Sequence, residues 1–354
     1  MDSKAGYVVY LDMDSFFASC EQLRHPELIG KPFAVVTDSL DKFRGVVQTA
    51  SYSARKFGIH SGMPTMKALQ LYPNLHCIKE DYDYYEKISN EVMEIIKSYG
   101  FKMEAVSVDE AAIDTTELNE SQVLEVAKGI KTKISNELKL KCTIGIAKGK
   151  TFAKMACDSA KPNGFLFIKD YETIEFIKYK KVSDIPGVGA KTEGKLAGLN
   201  IHYIGDIQNS NVQVLVGLLG EYGSELYKLS KGIDEEKIVS DYTALSISRE
   251  KNLYEDTNDI PTIMAQLKEL SEDAANAVRS TQKLYKSITV KVRYYDFTTK
   301  IKTKTLSYYS DSSDVLYSEA SELIKPLIKD NILVRRVGVK VSSLTDSAHQ
   351  HKLF

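Results

Sequence analysis

The stretch Ala105-Val106-Ser107-Val108-Asp109-Glu110-Ala111-Ala112-Ile113-Asp114 sets two adjacent acids among apolar and small residues, with turn or helix signals on both sides. It reads as a strand carrying carboxylates. Neighbouring residues of a strand point to opposite faces, so Asp109 and Glu110 both reach one site only at a strand end or bend. The counterpart is Tyr7-Val8-Val9-Tyr10-Leu11, a buried-looking run that ends in Asp12-Met13-Asp14-Ser15-Phe16-Phe17. Three carboxylates from two strands suit magnesium, a hard cation that takes one or two carboxylates and fills its shell with water and substrate phosphate. Two such ions roughly 3.5 to 4 Å apart are the standard device for in-line phosphoryl transfer. Taken singly, each acid would serve as well as a solvated strand end, and the argument rests on the company they keep.

At 354 residues the chain has room for two to four domains. Its 47 Lys plus Arg face 48 Asp plus Glu, a formal charge of -1. A nucleic-acid surface must therefore come from local segregation of charge. Cys20, Cys77, Cys142 and Cys157 have no C-x-x-C spacing and read as buried free thiols. With no leader pattern before the first strand and no apolar run approaching about 18 residues, the expectation is a reduced, cytoplasmic protein that does not enter a membrane.

Outward from the acids, the pattern predicts helices at Ser15 to Leu23, Met66 to Leu71, Tyr82 to Tyr99, Ser121 to Leu138 and Thr151 to Ser159. Strands are predicted at Lys31 to Thr37, Gly45 to Ala50 and Cys142 to Ala147. A short helix within Ser51 to Ile59 puts Tyr52 and Arg55 on one face, where a hydroxyl and a guanidinium could grip one phosphate. Lys161-Pro162-Asn163-Gly164 is a turn that either leaves its lysine in solvent or presents it rigidly to a polyphosphate. From Tyr171 short helices centre on Pro186-Gly187-Val188-Gly189, a hairpin that frees backbone N–H groups at the next helix N-terminus, with Lys191 adjacent. Such a helix-hairpin-helix holds a DNA backbone phosphate without reading sequence, although a plain helix turn also uses glycine. The charged run Asp234-Glu235-Glu236-Lys237 begins a linker.

Beyond it the order is strand, helix, two strands, helix, strand: 244–251, 260–281, 287–295, 300–308, 314–329 and 335–344. Lys291 and Arg293, then Lys300, Lys302 and Lys304, then Arg336 and Lys340 alternate with other residues, so period two puts each set on one face. The expectation is a sheet with helices on one face and a basic comb for phosphates on the other. The last five residues are Gln350-His351-Lys352-Leu353-Phe354, either a frayed end or a peptide with an apolar anchor.

These pieces together resemble the Y-family DNA polymerases, in particular the DNA polymerase IV (DinB) branch. The most specific are Asp12-Met13-Asp14-Ser15-Phe16-Phe17, residues 49–58 from Thr49 to Gly58, Ser107-Val108-Asp109-Glu110-Ala111 and Ala160-Lys161-Pro162-Asn163-Gly164. The resemblance implies an α+β multidomain right-hand polymerase. Its parts would be a ferredoxin-like palm (1–20 and 78–170), small fingers (21–77), a helical thumb with the helix-hairpin-helix (171–233), a linker (234–243), a little finger of β-α-β-β-α-β order (244–345) and a tail (346–354). It implies a template-directed enzyme of translesion synthesis and DNA repair, of low fidelity and without proofreading, acting as a monomer on primer-template DNA and dNTP. Two Mg2+ ions would sit on Asp12, Asp109, Glu110 and the Met13 carbonyl. Thr49, Tyr52, Arg55, Lys161 and the N–H groups around Phe16 would hold the triphosphate, and Phe17 would be the steric gate against ribose. Val46 and Gln48 would roof the nascent pair, and Asp14 would lie near the metals without being a ligand. Gly187, Gly189, Lys191, Lys291, Arg293, Lys300, Lys302, Lys304 and Arg336 would bind DNA, and Gln350, Leu353 and Phe354 a sliding clamp.

Two other readings stand beside this one. A catalytically silent DNA-binding or clamp-recruitment scaffold would have lost the acids, and all three are present. A nucleotide cyclase also uses two strand acids and metals, but would not need the hairpin at Pro186 to Gly189 or the basic C-terminal module.

Overall fold

A computed structural model of the chain describes residues 6–37, 45–240, 243–329 and 331–346. The chain divides into two compact units, Met1–Asp241 and Tyr242–Phe354. In chain order the first opens with β1 (Tyr7–Met13), α1 (Phe16–Arg24), β2 (Phe33–Val36), β3 (Val47–Ala50), α2 (Tyr52–Arg55), α3 (Thr65–Leu71), β4 (His76–Lys79) and α4 (Tyr82–Lys97). It continues with β5 (Met103–Ala105), β6 (Glu110–Asp114), α5 (Glu120–Leu138), β7 (Cys142–Lys148), α6 (Lys150–Ala160) and β8 (Phe165–Phe167). Five short helices follow: α7 (Thr173–Lys178), α8 (Ala190–Ala197), α9 (Ile204–Gln208), α10 (Val212–Leu219) and α11 (Glu221–Ser230).

The central sheet has the order β5-β6-β1-β7-β8, and β2, β3 and β4 form a separate small sheet. Strand β1 is buried along its whole length because it is apolar on both sides. Val9, Leu11 and Met13 pack with residues of α4 and α5, while Val8 and Tyr10 pack against α6 and the short helices. Local signals set the helix starts. Asn119 and Gln122 form a capping box on α5, and Asp81 accepts from the Tyr84 N–H to cap α4.

The acidic stretch is not one continuous strand. β5 ends at Ala105 and β6 starts at Glu110, leaving Asp109 on the bend between them. Val106 and Val108 are exposed, so no packing extends the strand, and the Ser107 hydroxyl turns back on the Asp109 carboxylate at 2.7 Å. The helix expected within 51–59 is shorter than its pattern: α2 stops at Arg55 and the chain turns through Gly58 at φ +79°. Cys20, Cys142 and Cys157 are buried free thiols and Cys77 is half-buried.

The second unit contains β9 (Ser246–Thr257), α12 (Ile260–Ser280), β10 (Lys283–Tyr294), β11 (Thr299–Ser310), α13 (Ser313–Ile324), β12 (Val334–Ser342) and β13 (Thr345–Asp346). The strand order β11-β10-β12-β9 buries Ile288, Val290 and Val292 with Val337, Val339 and Val341 under the two helices. The single basic comb is corrected by the register. Lys300, Lys302 and Lys304 lie opposite Val292, Val290 and Ile288, on the helix-bearing side of edge strand β11, and Lys304 pairs with Glu319 of α13 at 2.5 Å. Lys291, Arg293, Arg336 and Lys340 share the other face, where Glu250 takes Lys291 at 2.9 Å and Arg336 at 3.7 Å. Period two fixes which residues of one strand share a face. The turn between β10 and β11 fixes how two strands are matched.

Helix α6 lies directly on β7 at Gly145, where an added Cβ would come within 2.1 Å of the Cys157 nitrogen and 2.2 Å of the Ala153 carbonyl oxygen. Backbone atoms cannot move aside as a flexible side chain can. Gly145→Ala is therefore expected to destabilise the chain by about 3 kcal/mol or to prevent folding. An unchanged midpoint in urea unfolding would contradict this packing.

Candidate active site

Strand pairing brings the first two acids together: Asp12 of β1 lies opposite Glu110 of β6. Both project toward α6, in line with Tyr10, because alternate residues of β1 share a face. Asp12 is 2% exposed. The Asp109 backbone carbonyl accepts from the Met13 N–H at 2.9 Å, which ties the β5–β6 bend to the end of β1. The Asp109 side chain is held by Ser107 instead of joining the other two. Among the described residues, no three His, Cys, Asp or Glu side chains are already gathered as a metal site.

Two like charges side by side in a buried place need a compensating cation. Lys154 of α6 supplies it, with Nζ 3.0 Å from Asp12 Oδ2, 2.7 Å from Glu110 Oε1 and 2.9 Å from Asp158 Oδ1. Lys161 Nζ reaches Asp12 Oδ2 at 2.6 Å, and the Tyr10 hydroxyl donates to Glu110 Oε2 at 2.7 Å. Burial, together with the hydrogen bond to Glu110, pushes the Asp12 carboxyl well above the usual carboxylate range against the pull of both lysines. Glu110 is held below that range although burial opposes it, because Asp12, Lys154 and Tyr10 all donate to it. The two acids thus titrate as a unit. Burial also works against the Lys154 charge, but its three carboxylates outweigh it and raise the ammonium's pKa.

The other expected residues stand around this pair. Ser15 takes a left-handed conformation (φ 46°, ψ 52°) at the start of α1, and its side chain does not cap the helix, so the first-turn N–H groups remain available to an anion. The Phe16 side chain is buried at 2%, leaving only its backbone to face the site. Phe17 stacks on Tyr85 of α4, with centroids 4.4 Å apart. Tyr52 and Arg55 lie on one side of α2, the guanidinium 4.8 Å from the Tyr52 ring centre. Arg55 Nε donates to the Ala50 carbonyl. Thr49 and Gln48 are on β3, half-buried, and Val46 precedes it. Gly187 has φ +89°, and Gly189 forms an uncapped start to α8, next to Lys191. Gln350, Leu353 and Phe354 fall outside the described residues.

Lys154 was not singled out by sequence reasoning, nor were Tyr10 and Lys131. A signal existed for the first: Lys150, Lys154 and Asp158 recur at four-residue spacing on one face of α6. Its neighbour Lys150 pairs with Glu104 at 2.7 Å and Glu236 at 2.8 Å, and Asp234 caps α6 by accepting from the Thr151 N–H at 2.6 Å. The charged run expected as a linker is thus docked at its start.

Family models match residues 11–158 (impB/mucB/samB family), 183–234 (DNA polymerase-iota, thumb domain) and 244–353 (impB/mucB/samB family C-terminal domain). The DNA polymerase IV of Methanoculleus marisnigri is 35% identical over 97% of this chain and 96% of its own length. The chain belongs to the Y-family DNA polymerases. Among solved structures, a Y-family DNA polymerase chimera of Dbh and Dpo4 superposes with a TM-score of 0.90 at 32% identity, covering 96% of this chain and 99% of that one. An insertion ternary complex of Dbh DNA polymerase superposes at 0.68, with 31% identity and the same coverage. The α+β right-hand fold of this family is therefore the fold of the chain. No described helix is long and apolar enough to cross a membrane.

Lys154→Ala leaves Asp12 and Glu110, among the described residues, with Lys161 alone as cation. It is expected to cost about 3 kcal/mol, the lower end for a broken buried ion pair, because Lys161 remains. In urea unfolding with EDTA the midpoint should fall, and added Mg2+ should narrow the gap to the native chain. Equal midpoints in EDTA would contradict the compensating role.

Proposed function

We propose that this polymerase adds deoxynucleotides to a primer 3'-hydroxyl on a DNA template by two-metal phosphoryl transfer, with low fidelity and no proofreading, in translesion synthesis and DNA repair. The observation that carries the proposal is the Asp12–Glu110 pair at the end of β1, with Asp109 on the adjoining bend and Lys161 already on Asp12. An all-oxygen donor set neutralised by ammonium groups fits magnesium, since a dication can replace those charges. Asp12, Asp109, Glu110 and the Met13 carbonyl would hold two Mg2+ ions. Bound there, the metal supplies a lowered pKa for the attacking hydroxyl and charge neutralisation on the phosphates.

The remaining work is positioning and electrostatics by the chain itself. Tyr52, Arg55, Thr49 and Lys161, with the uncapped N–H groups of Ser15, Phe16 and Phe17, would bind the triphosphate oxygens. Phe17 would exclude a 2'-hydroxyl, its ring braced on Tyr85. Val46 and Gln48 would cover the nascent base pair. The palm would comprise 1–20 and 78–170, the fingers 21–77, the thumb 171–233, a linker 234–243, the little finger 244–345 and a tail 346–354 carrying the clamp peptide Gln350, Leu353 and Phe354.

Backbone phosphates would meet Gly187, Gly189 and Lys191 in the thumb. In the little finger they would meet the face bearing Lys291, Arg293, Arg336 and Lys340, with Lys300, Lys302 and Lys304 a separate row on the other side. The enzyme would act as a monomer in the cytoplasm.

Primer extension with Mg2+ and single dNTPs tests the reading. The native chain should add the templated nucleotide, and Asp109→Ala combined with Glu110→Ala should abolish addition while primer-template binding persists. No addition by the native chain would overturn the proposal. Phe17→Ala should raise ribonucleotide incorporation by about 100-fold or more relative to deoxynucleotide, since a clash worth several kcal/mol is removed. An unchanged ratio would remove Phe17 from the gate.

A further inference from the structure

Asp14 is a buried carboxylate, 3% exposed, one residue beyond β1. Both of its oxygens are used within the protein. Oδ1 accepts from the Thr143 hydroxyl of β7 at 2.8 Å and from the Tyr52 hydroxyl of α2 at 3.3 Å. Oδ2 accepts from the Asn163 N–H at 2.7 Å, in the turn that carries Lys161. The backbone of Asp14 is fixed as well, its N–H donating to the Lys141 carbonyl at 3.0 Å and its carbonyl accepting from Ser19 Oγ at 2.6 Å.

The same turn is gripped from its other side by Lys131 of α5. The ammonium donates to the Asn163 carbonyl at 3.2 Å, the Asn163 side-chain oxygen at 3.0 Å and the Gly164 carbonyl at 3.3 Å, and also to the Cys142 carbonyl. One anion therefore joins four segments distant in sequence: the end of β1, helix α2, strand β7 and the 161–164 turn. Tyr52 and Lys161 belong to two of them. Hydrogen bonds to a charged, buried acceptor are the strong kind.

We propose that Asp14 is a positioning residue for nucleotide binding: it sets the placement of Tyr52 and of the Lys161 turn relative to Asp12 before a triphosphate arrives, and touches neither metal nor substrate itself. The proposal rests on the polymerase reading and deepens it. Loss of the carboxylate weakens the hold on the incoming nucleotide and leaves the chemical step alone, because Lys154, which Asp14 does not touch, still holds both members of the acid pair.

The test is steady-state single-nucleotide insertion on a primed template with native enzyme, Asp14→Asn, Tyr52→Phe and the double variant, with Thr143→Val as a milder change. In Asp14→Asn the new amide group faces donors, and the apparent KM for dNTP should rise about 10-fold with kcat and primer-template affinity unchanged. Tyr52→Phe should raise KM in the native background and add little on top of Asp14→Asn, since its hydroxyl has already lost the anchor. Thr143→Val, close in shape and lacking only the hydroxyl that donates to Asp14, should shift KM in the same direction by a smaller factor, and it carries the test if Asp14→Asn is insoluble. A fall in kcat at native KM, additive effects with Tyr52→Phe, or a native KM in Thr143→Val would overturn the assignment while native activity stands. If the native chain adds no nucleotide, this inference falls together with the polymerase reading.

Discussion

The structure of the site depends on placing Asp12 and Glu110 next to each other in a buried strand pair, which is unfavourable unless positive charge is supplied. Two carboxylates in low dielectric repel and are poorly solvated, so the environment fills with donors. Lys154, Lys161 and Tyr10 meet that demand here. Under the proposed function that cost has a use, since a dication would replace the ammonium charges that now hold the pair.

The rest of the first unit can be read as the means of delivering those donors. Gly145 lets α6 lie against β7 closely enough for Lys154 to reach β1 and β6. Asp234 caps the start of α6, and Glu236 holds Lys150 one turn before Lys154. Asp14 fixes, through the Asn163 N–H, the turn from which Lys161 reaches Asp12. The acids, their counter-cations, Tyr52 and the Lys161 turn thus share one frame of contacts, so placement within the site depends on packing some distance from it.

Much of this was legible in the sequence. The acids at Asp12, Asp109 and Glu110, the Tyr52–Arg55 spacing, the Lys161 turn and helices α4, α5 and α6 all follow from periodicity and turn chemistry, which are local. The β-α-β-β-α-β order of the second unit was legible for the same reason. What escaped was set by tertiary placement. A lysine such as Lys154 at mid-helix ordinarily faces solvent, and only the approach of α6 at Gly145 turns it inward. Asp234 and Glu236 look like a solvated run until their partners Thr151 and Lys150, more than 80 residues earlier, are known. The split of the basic residues onto two faces depends on strand register, to which alternation within one strand is blind. The break between β5 and β6 turns on Ser107 competing for the Asp109 carboxylate, a side-chain effect that a hydrophobic pattern does not carry.

The most direct test of the central claim is a crystal structure of the chain with a dideoxy-terminated primer-template, an incoming dNTP and Mg2+. The account predicts cation density bridging Asp12, Asp109 and Glu110, with the Asp109 side chain released from Ser107 and Lys154 drawn away from the acids. A bound nucleotide with no cation on these three residues, and Lys154 still between Asp12 and Glu110, would contradict it.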